Sequence, residues 1–227
     1  RPMHSLTVII PTLNEGESIG PTIDAIPRDL EWLKVDIIVV DGNSTDATAA
    51  EAEKRGARVI NERRKGYGRA YKTGFAAATG EFIATLDGDT TYPAEIIPHV
   101  LALLLNRGLD FITCNRLAMM DTNAMSMTHK IGNWSLTMAT NVLHGIHIHD
   151  SQSGMWVFRR RILKEIQLTS DGMPLSEEIK IETFRRGLKV LEIPVEYRAR
   201  IGEVKLNTWD DGVQNLWFLV TKMADFR

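Results

Sequence analysis

The stretch 84-ATLDGDTTYP-93 runs from an apolar strand into two carboxylates, Asp87 and Asp89, with one glycine between them. Like charges that close raise each other's pKa unless a cation lies beside them, so something positive is expected there. Upstream, 82–86 reads as a strand. Downstream, Pro93 stands in the favoured first-turn position of a helix over 94–106. Strand, polar turn and helix make one βα unit, and the unit recurs along the chain. Strand 6–11 leads into a helix that opens at 14–17 and runs toward Ile26. Strand 35–40 leads into a helix capped by Asp46 or Thr45 and reaching about Arg55. Strand 58–61 leads through Gly66-Tyr67-Gly68 into a helix ending near Gly80, and 109–114 is a fifth strand. This alternation predicts an α/β fold with a mostly parallel sheet flanked by helices.

After that the character changes. Residues 117–130 are Met-rich without clear period and are expected to form a mobile loop leading into a helix over about 130–143. Residues 155–159 read as a strand, 176–186 as a helix capped by Ser176, and 188–193 and 196–200 as two more strands. The final helix, 209–226, carries Val213, Leu216, Trp217, Val220 and Met223 at helical spacing, and that face is expected to pack on the core.

The 227 residues are 44% hydrophobic and 25% charged, an ordinary composition for one large α/β domain over 1–227. A net charge of -2 argues against a whole-protein field for nucleic acid. The lone Cys114 excludes an intramolecular disulfide and suits a reducing compartment. No run of about 18 apolar residues is present, so no segment is expected to span a bilayer, and no signal-peptide core opens the chain.

Open parallel sheets bind ligands beyond the carboxyl ends of their strands. Four polar clusters fall there: 12–15, 41–46, 87–89 and Asn115-Arg116. Each residue type is common in turns, but joint placement on one rim argues for a site. Asp87 and Asp89 suit a hard divalent cation completed by phosphate oxygens, and Gly88 lets a diphosphate approach. Gly66 and Gly68, near Lys65 and Arg69, offer backbone amides and positive charge to a nucleotide. His144, His147 and His149, with no cysteine nearby, read as a solvated or packed segment rather than a zinc site. Met119, Met120, Met125 and Met127 are either core filler or an apolar lip for a lipid tail.

The segments "VIIPTLNEGESI", "IIVVDGNSTDAT", "RKGYGRAYKTGF", "ATLDGDTTYPAEIIP", "CNR", "DSQSGMWVFRR" and "EIPVEYRARIGEVKLNTWDDG" together resemble the inverting family-two glycosyltransferases of GT-A (Rossmann-like) fold. Within that family the likeness is to the dolichol-phosphate mannose synthase and polyprenyl-phosphate hexosyltransferase group. The resemblance implies a nucleotide-sugar part over about 1–115 and an acceptor part with a C-terminal helix over about 116–227. It implies a donor, GDP- or UDP-linked, held by Pro11, Thr12, Asn14, Glu15, Asp41, Asp46, Lys65, Gly66 and the 87–89 segment. It implies Mg2+ or Mn2+ on Asp87 and Asp89, with Thr91 as third ligand where relatives often have Gln.

On the acceptor side the resemblance implies that Arg116, Lys130, Arg200 and Lys205 receive a polyprenyl or dolichyl phosphate, and that Asp150 and Glu178 orient the donor sugar. Position 130 is more often Arg in relatives, and position 204 more often Ser than the Val204 here. A phosphate monoester is already anionic near neutrality, its second pKa being about 6, and needs no general base. The implied protein is a metal-dependent inverting transferase of mannose, glucose or N-acetylglucosamine, peripheral at the cytoplasmic face of a membrane. The rivals are the same fold with a soluble phosphorylated or carboxylated acceptor, and a catalytically silent nucleotide-sugar-binding domain.

Overall fold

The computed structural model describes residues 4–121, 123–203 and 208–226. The strands are β1 (His4–Thr12), β2 (Leu33–Asp41), β3 (Arg58–Asn61), β4 (Phe82–Thr85), β5 (Phe111–Met120), β6 (Trp156–Arg159) and β7 (Val190–Tyr197). They form one sheet in the order β3-β2-β1-β4-β6-β5-β7. All neighbours pair in parallel except β6, which is antiparallel to both β4 and β5. That exception positions the site. An antiparallel strand begins where its neighbours end, so the segment 150–154 that feeds β6 lies on the rim where β1, β2 and β4 finish.

The helices are α1 (Ile19–Asp24), α2 (Thr48–Lys54), α3 (Tyr67–Ala77), α4 (Ile97–Asn106), α5 (Met127–His144), α6 (Leu175–Arg185) and α7 (Thr208–Lys222). Alternation along β1 sends Leu6, Val8 and Ile10 into the layer beneath α1, α2 and α4, and Ile9 into the layer of α3 and α6. A sheet covered on both faces explains the near-continuous apolar runs of β1 and β2. A satellite core of Ile146, Ile148, Ile181 and Leu219 joins α5, α6 and α7.

Several expectations change. Residues 117–120 are strand, not loop: β5 runs past an irregularity after Asn115 and pairs Met119 with Glu196 and Met120 with Tyr197. One strand, β7, replaces the two expected around Pro194, because an edge strand loses nothing at a position without an N–H. Ser176 does not cap α6, since its hydroxyl donates back to Met173 O at 3.0 Å. The methionines divide: Met120 and Met125 pack against the core, while Met119 and Met127 are exposed.

The expected packing of α7 is also overturned. Leu219 is buried, but Trp209, Val213, Leu216, Trp217 and Val220 face outward. α5, which packs beside α7, exposes a second stripe of Met127, Ile131, Trp134, Met138 and Val142. Three tryptophans stand in these stripes, exposed by 62% (Trp134), 81% (Trp209) and 70% (Trp217). No helix among the described residues is long and apolar enough to cross a membrane.

Candidate active site

The ends of β1 and β2 are stitched together by short polar side chains. Asn14, at a positive φ of 49° that asparagine tolerates, accepts from Thr45 N at 2.8 Å, and its own N–H donates to Ser44 Oγ at 2.8 Å. Asp41 accepts from Ser44 N at 3.0 Å and from the Ser44 hydroxyl at 2.5 Å. Thr12, buried at the end of β1, points its hydroxyl at Asp41 over 3.4 Å. Asp46 takes Thr48 N on one oxygen and Gly16 N on the other, both at 3.0 Å. Asp46, expected beside the donor, therefore holds two loops to each other. Pro11 and Glu15 lie on the same rim, with Glu15 against Gly88, where a Cβ would stand 2.6 Å from its carboxylate.

Lys65 and Gly66 precede α3 and are exposed, but the amides behind them are not free for phosphate. Gly68 N donates to Gly172 O at 3.2 Å and Arg69 N to Asp171 O at 3.0 Å, with Lys72 Nζ on the Asp171 carboxylate at 2.6 Å. The loop 170–172 caps this helix, a tertiary contact that the Gly-x-Gly spacing does not reveal.

The carboxylate pair lies at the end of β4. Asp89 is buried; its Oδ1 accepts from Thr91 N at 3.2 Å and Thr91 Oγ1 at 2.5 Å, and its Oδ2 meets Arg200 Nη2 at 3.0 Å. Arg200, expected at the acceptor phosphate, thus lies against one carboxylate of the pair. Thr91 donates its hydroxyl hydrogen to Asp89 and so orients that carboxylate. Asp87 is half-buried, and its carboxylate has no hydrogen bond or ion pair among the described residues. Burial and the charge on Asp89 raise its pKa against the pull of Arg200 and Arg116. Gly154 presses against it, and a Cβ there would stand 3.3 Å from Asp87 Oδ1 and 2.5 Å from the Tyr67 hydroxyl. An unpartnered carboxylate oxygen beside a second carboxylate is a donor set that fits a divalent cation. No group of three or more His, Cys, Asp or Glu gathers as a metal site among the described residues. Two of the three clustered histidines are engaged elsewhere, His144 Nε2 with Leu219 O at 2.9 Å and His149 Nδ1 with Glu192 at 2.7 Å.

On the other side of the rim the expected cations and acids pair with each other. Fully buried Asp150 grips Arg116 through both oxygens, accepting from Nε and Nη2 at 2.9 Å each, while Asn133 takes Nη2 at 2.8 Å. Tyr197 lies under the guanidinium, 5.4 Å from ring centre to Cζ. Burial alone would raise the Asp150 pKa, but the Arg116 charge and hydrogen bonds outweigh it and hold it at about 2. Lys130, one turn before Asn133 on α5, makes no side-chain hydrogen bond or ion pair among the described residues. Glu178 sits beneath the rim: Oε1 accepts from Thr169 N and Oγ1 at 2.9 and 2.8 Å, Oε2 from Ser170 N at 3.0 Å, and Lys222 Nζ lies 3.1 Å away. Asp150 and Glu178, expected at the donor sugar, are thus both consumed by protein contacts. Lys205 and Val204 lie outside the described residues.

Sequence reasoning missed what supports the rim. Lys180 is fully buried, donates to Ser151 O and Ser153 O at 2.8 Å each, and lies 5.8 Å over the Trp156 ring. Tyr92 Oη accepts from Gly154 N at 2.8 Å. Buried Glu177 accepts from Gln152 Nε2 at 3.0 Å, and burial lifts its pKa to about 8. The charge-rich pattern of α6 offered no cue, because it reads as a surface helix although residues 175–183 are all buried.

The Arg116–Asp150 pair sets a pH dependence. Asp150 is depressed in the folded state, so its contribution is present above its unfolded pKa near 4 and is lost as pH falls to about 2. Asp150→Asn is expected to destabilise by about 3 kcal/mol or more at pH 7, leaving a buried arginine unpaired. The difference from wild type, followed by denaturant titration, should shrink between pH 4 and 2. A pH-independent difference would contradict this.

Comparison with known proteins agrees with the fold. The family profile for Glycosyl transferase family 2 matches residues 7–167. The dolichyl-phosphate hexose transferase of Haloferax volcanii is 34% identical over 91% of this chain and 89% of that protein. The low-salt glycan biosynthesis hexosyltransferase Agl6 of the same organism is 33% identical over 98% of this chain, which spans only 54% of that relative's length. Glucosyl-3-phosphoglycerate synthase from Mycobacterium tuberculosis was solved with Mn2+, uridine diphosphate and glucosyl-3-phosphoglycerate. It matches with a TM-score of 0.77 at 22% identity, over 97% of this chain and 80% of that one, a likeness of the GT-A, Rossmann-like fold. The profile covers well over half of the residues and one relative exceeds 30% identity along nearly the whole length, so this chain belongs to glycosyl transferase family 2.

Proposed function

We propose that the chain transfers a hexosyl group from a nucleotide sugar, with a divalent cation, to the phosphate of a polyprenyl or dolichyl lipid, as a peripheral protein at the cytoplasmic face of a membrane. The state of the carboxylates carries this reading. A hydroxyl acceptor needs a general base. Asp150 is locked on Arg116, Glu178 is locked on Lys222 and the loop 169–170, and Glu177 is buried behind Gln152. A phosphate acceptor needs no base, because its second pKa of about 6 brings it to the site ionised.

Asp87 and Asp89 are the residues that would hold the cation, and the cation's chemistry there is to neutralise the departing nucleoside diphosphate. The protein's own work is orientation. Arg200 stands at Asp89, Lys130 has its ammonium uncommitted among the described residues, and Arg116 keeps Nη1 free of the bonds it makes to Asp150 and Asn133. These cations gather the acceptor phosphate for in-line attack at the anomeric carbon.

The apolar stripes of α5 and α7 support a lipid rather than a soluble acceptor. Lys130 shares α5 with exposed Ile131 and Trp134, so a phosphate at Lys130 has an apolar surface beside it for its chain. Exposed tryptophans on an amphipathic face suit the membrane interface.

Two outcomes test this. Asp87→Asn removes a crowded, unpartnered carboxylate, so thermal stability should hold or rise, while transfer to polyprenyl phosphate from a panel of GDP- and UDP-sugars should fall roughly a hundredfold or more. Retained transfer, or full wild-type turnover in excess EDTA, would overturn the metal role. Replacing Trp134 and Trp217 with Ser should weaken sedimentation with anionic liposomes without lowering the melting temperature. Equal sedimentation of both proteins would remove the lipid contact from this face.

A further inference from the structure

Residues 150–158 are buried with one exception, Gln152. It lies two positions before Gly154, the residue pressed against Asp87, on the segment that β6 brings to the rim. Both hydrogens of its amide are spent inside the protein: Nε2 donates to Ser151 Oγ at 2.9 Å and to Glu177 Oε2 at 3.0 Å. The carbonyl oxygen of the side chain accepts no hydrogen bond among the described residues. The backbone is held as firmly, with Gln152 N on Asp150 Oδ1 at 3.3 Å and the flanking carbonyls of Ser151 and Ser153 on Lys180 at 2.8 Å each.

Glu177 has no exposed surface, and its second oxygen, Oε1, is a buried atom without a partner among the described residues. Whichever oxygen carries a proton, Oε2 is available as an acceptor. An amide facing an acceptor turns its NH2 toward it and its oxygen away. The buried glutamate thus fixes which end of Gln152 reaches the rim, and that end can only accept.

We propose that Gln152 is a specificity-determining residue that accepts a hydrogen bond from one hydroxyl of the donor's sugar, and that Glu177 is the positioning residue that sets its amide. The inference rests on the donor reading above. Nucleoside diphosphates have no group in this place, since the sugar is the part of the donor that lies beyond the diphosphate at Asp87 and Asp89. The pair therefore discriminates between sugars and contributes nothing to the nucleotide.

The test is calorimetric titration, in Mn2+, of GDP, UDP, GDP-mannose, UDP-glucose and UDP-N-acetylglucosamine into wild type, Gln152→Met and Glu177→Gln, with melting curves to verify folding. Gln152→Met keeps the length of the side chain and removes the acceptor. It should leave the affinity for the parent diphosphate unchanged and cut the extra affinity conferred by the sugar roughly threefold to tenfold, the worth of one neutral hydrogen bond. Glu177→Gln, which offers Gln152 either an oxygen or an NH2, should give an intermediate loss, also confined to the sugar. With monodeoxy donors, the analogue lacking the read hydroxyl should bind wild type and Gln152→Met alike, as a double-mutant cycle requires. Equal weakening of diphosphate and nucleotide sugar in Gln152→Met, or weakening of neither, would overturn the assignment. Failure of wild type to bind any of the diphosphates would instead overturn the donor reading, and this inference with it.

Discussion

A carboxylate taken out of water needs a cation or a proton, and that constraint orders the whole rim. Asp89 has Arg200, Asp150 has Arg116, Glu178 has Lys222, and Glu177 has its pKa pushed up to about 8 by burial. Asp87 has no such partner among the described residues, and burial together with the charge on Asp89 raises its pKa. Asp150 and Glu178 thereby hold segments of the rim in place, whereas the proposed cation would fall to Asp87 together with Asp89, whose Oδ2 lies against Arg200.

The same pairing couples α7 to the start of α3. Lys222, on the last turn of α7, reaches Glu178 and Glu182 of α6 and Gln167 O. Glu178 fixes Thr169 and Ser170, and the loop that follows caps α3 behind Lys65 and Gly66. The helix that presents an apolar stripe outward is thus tied by buried ion pairs and hydrogen bonds to the segment of Lys65 and Gly66, expected to hold the donor. Replacing one member leaves the others buried and uncompensated, so this network is a place where distant changes would be felt.

Much of this was legible in the sequence. Turn residues after apolar runs located the ends of β1, β2 and β4, and the Asp87-Gly88-Asp89 spacing marked a carboxylate pair that lies at the end of β4, with Arg200 beside Asp89. What could not be read is tertiary. Nothing in 150–154 says that the next strand runs antiparallel and carries it to the rim. Pro194 looked like a strand break and is only an edge position. Glu177 and Glu178 are adjacent and identical in type, yet one supports Gln152 while the other is sealed by Lys222, a difference set by the partners that packing brings to each. The outward face of α7 was misread for the converse reason: periodicity identifies an apolar face but not what covers it.

An acceptor that arrives already charged is the central proposal, because it fits a site whose Asp150, Glu177 and Glu178 are engaged by other protein groups. The most direct measurement is the pH profile of transfer at saturating donor, comparing polyprenyl phosphate with the matching polyprenyl phosphonate, whose second ionisation lies higher. The rate is expected to rise with ionisation of the phosphate, near pH 6, and the profile to move to higher pH with the phosphonate by the difference between the two ionisations. A profile that stays in place when the acceptor is changed would mean that a group on the protein takes the proton, and would contradict it.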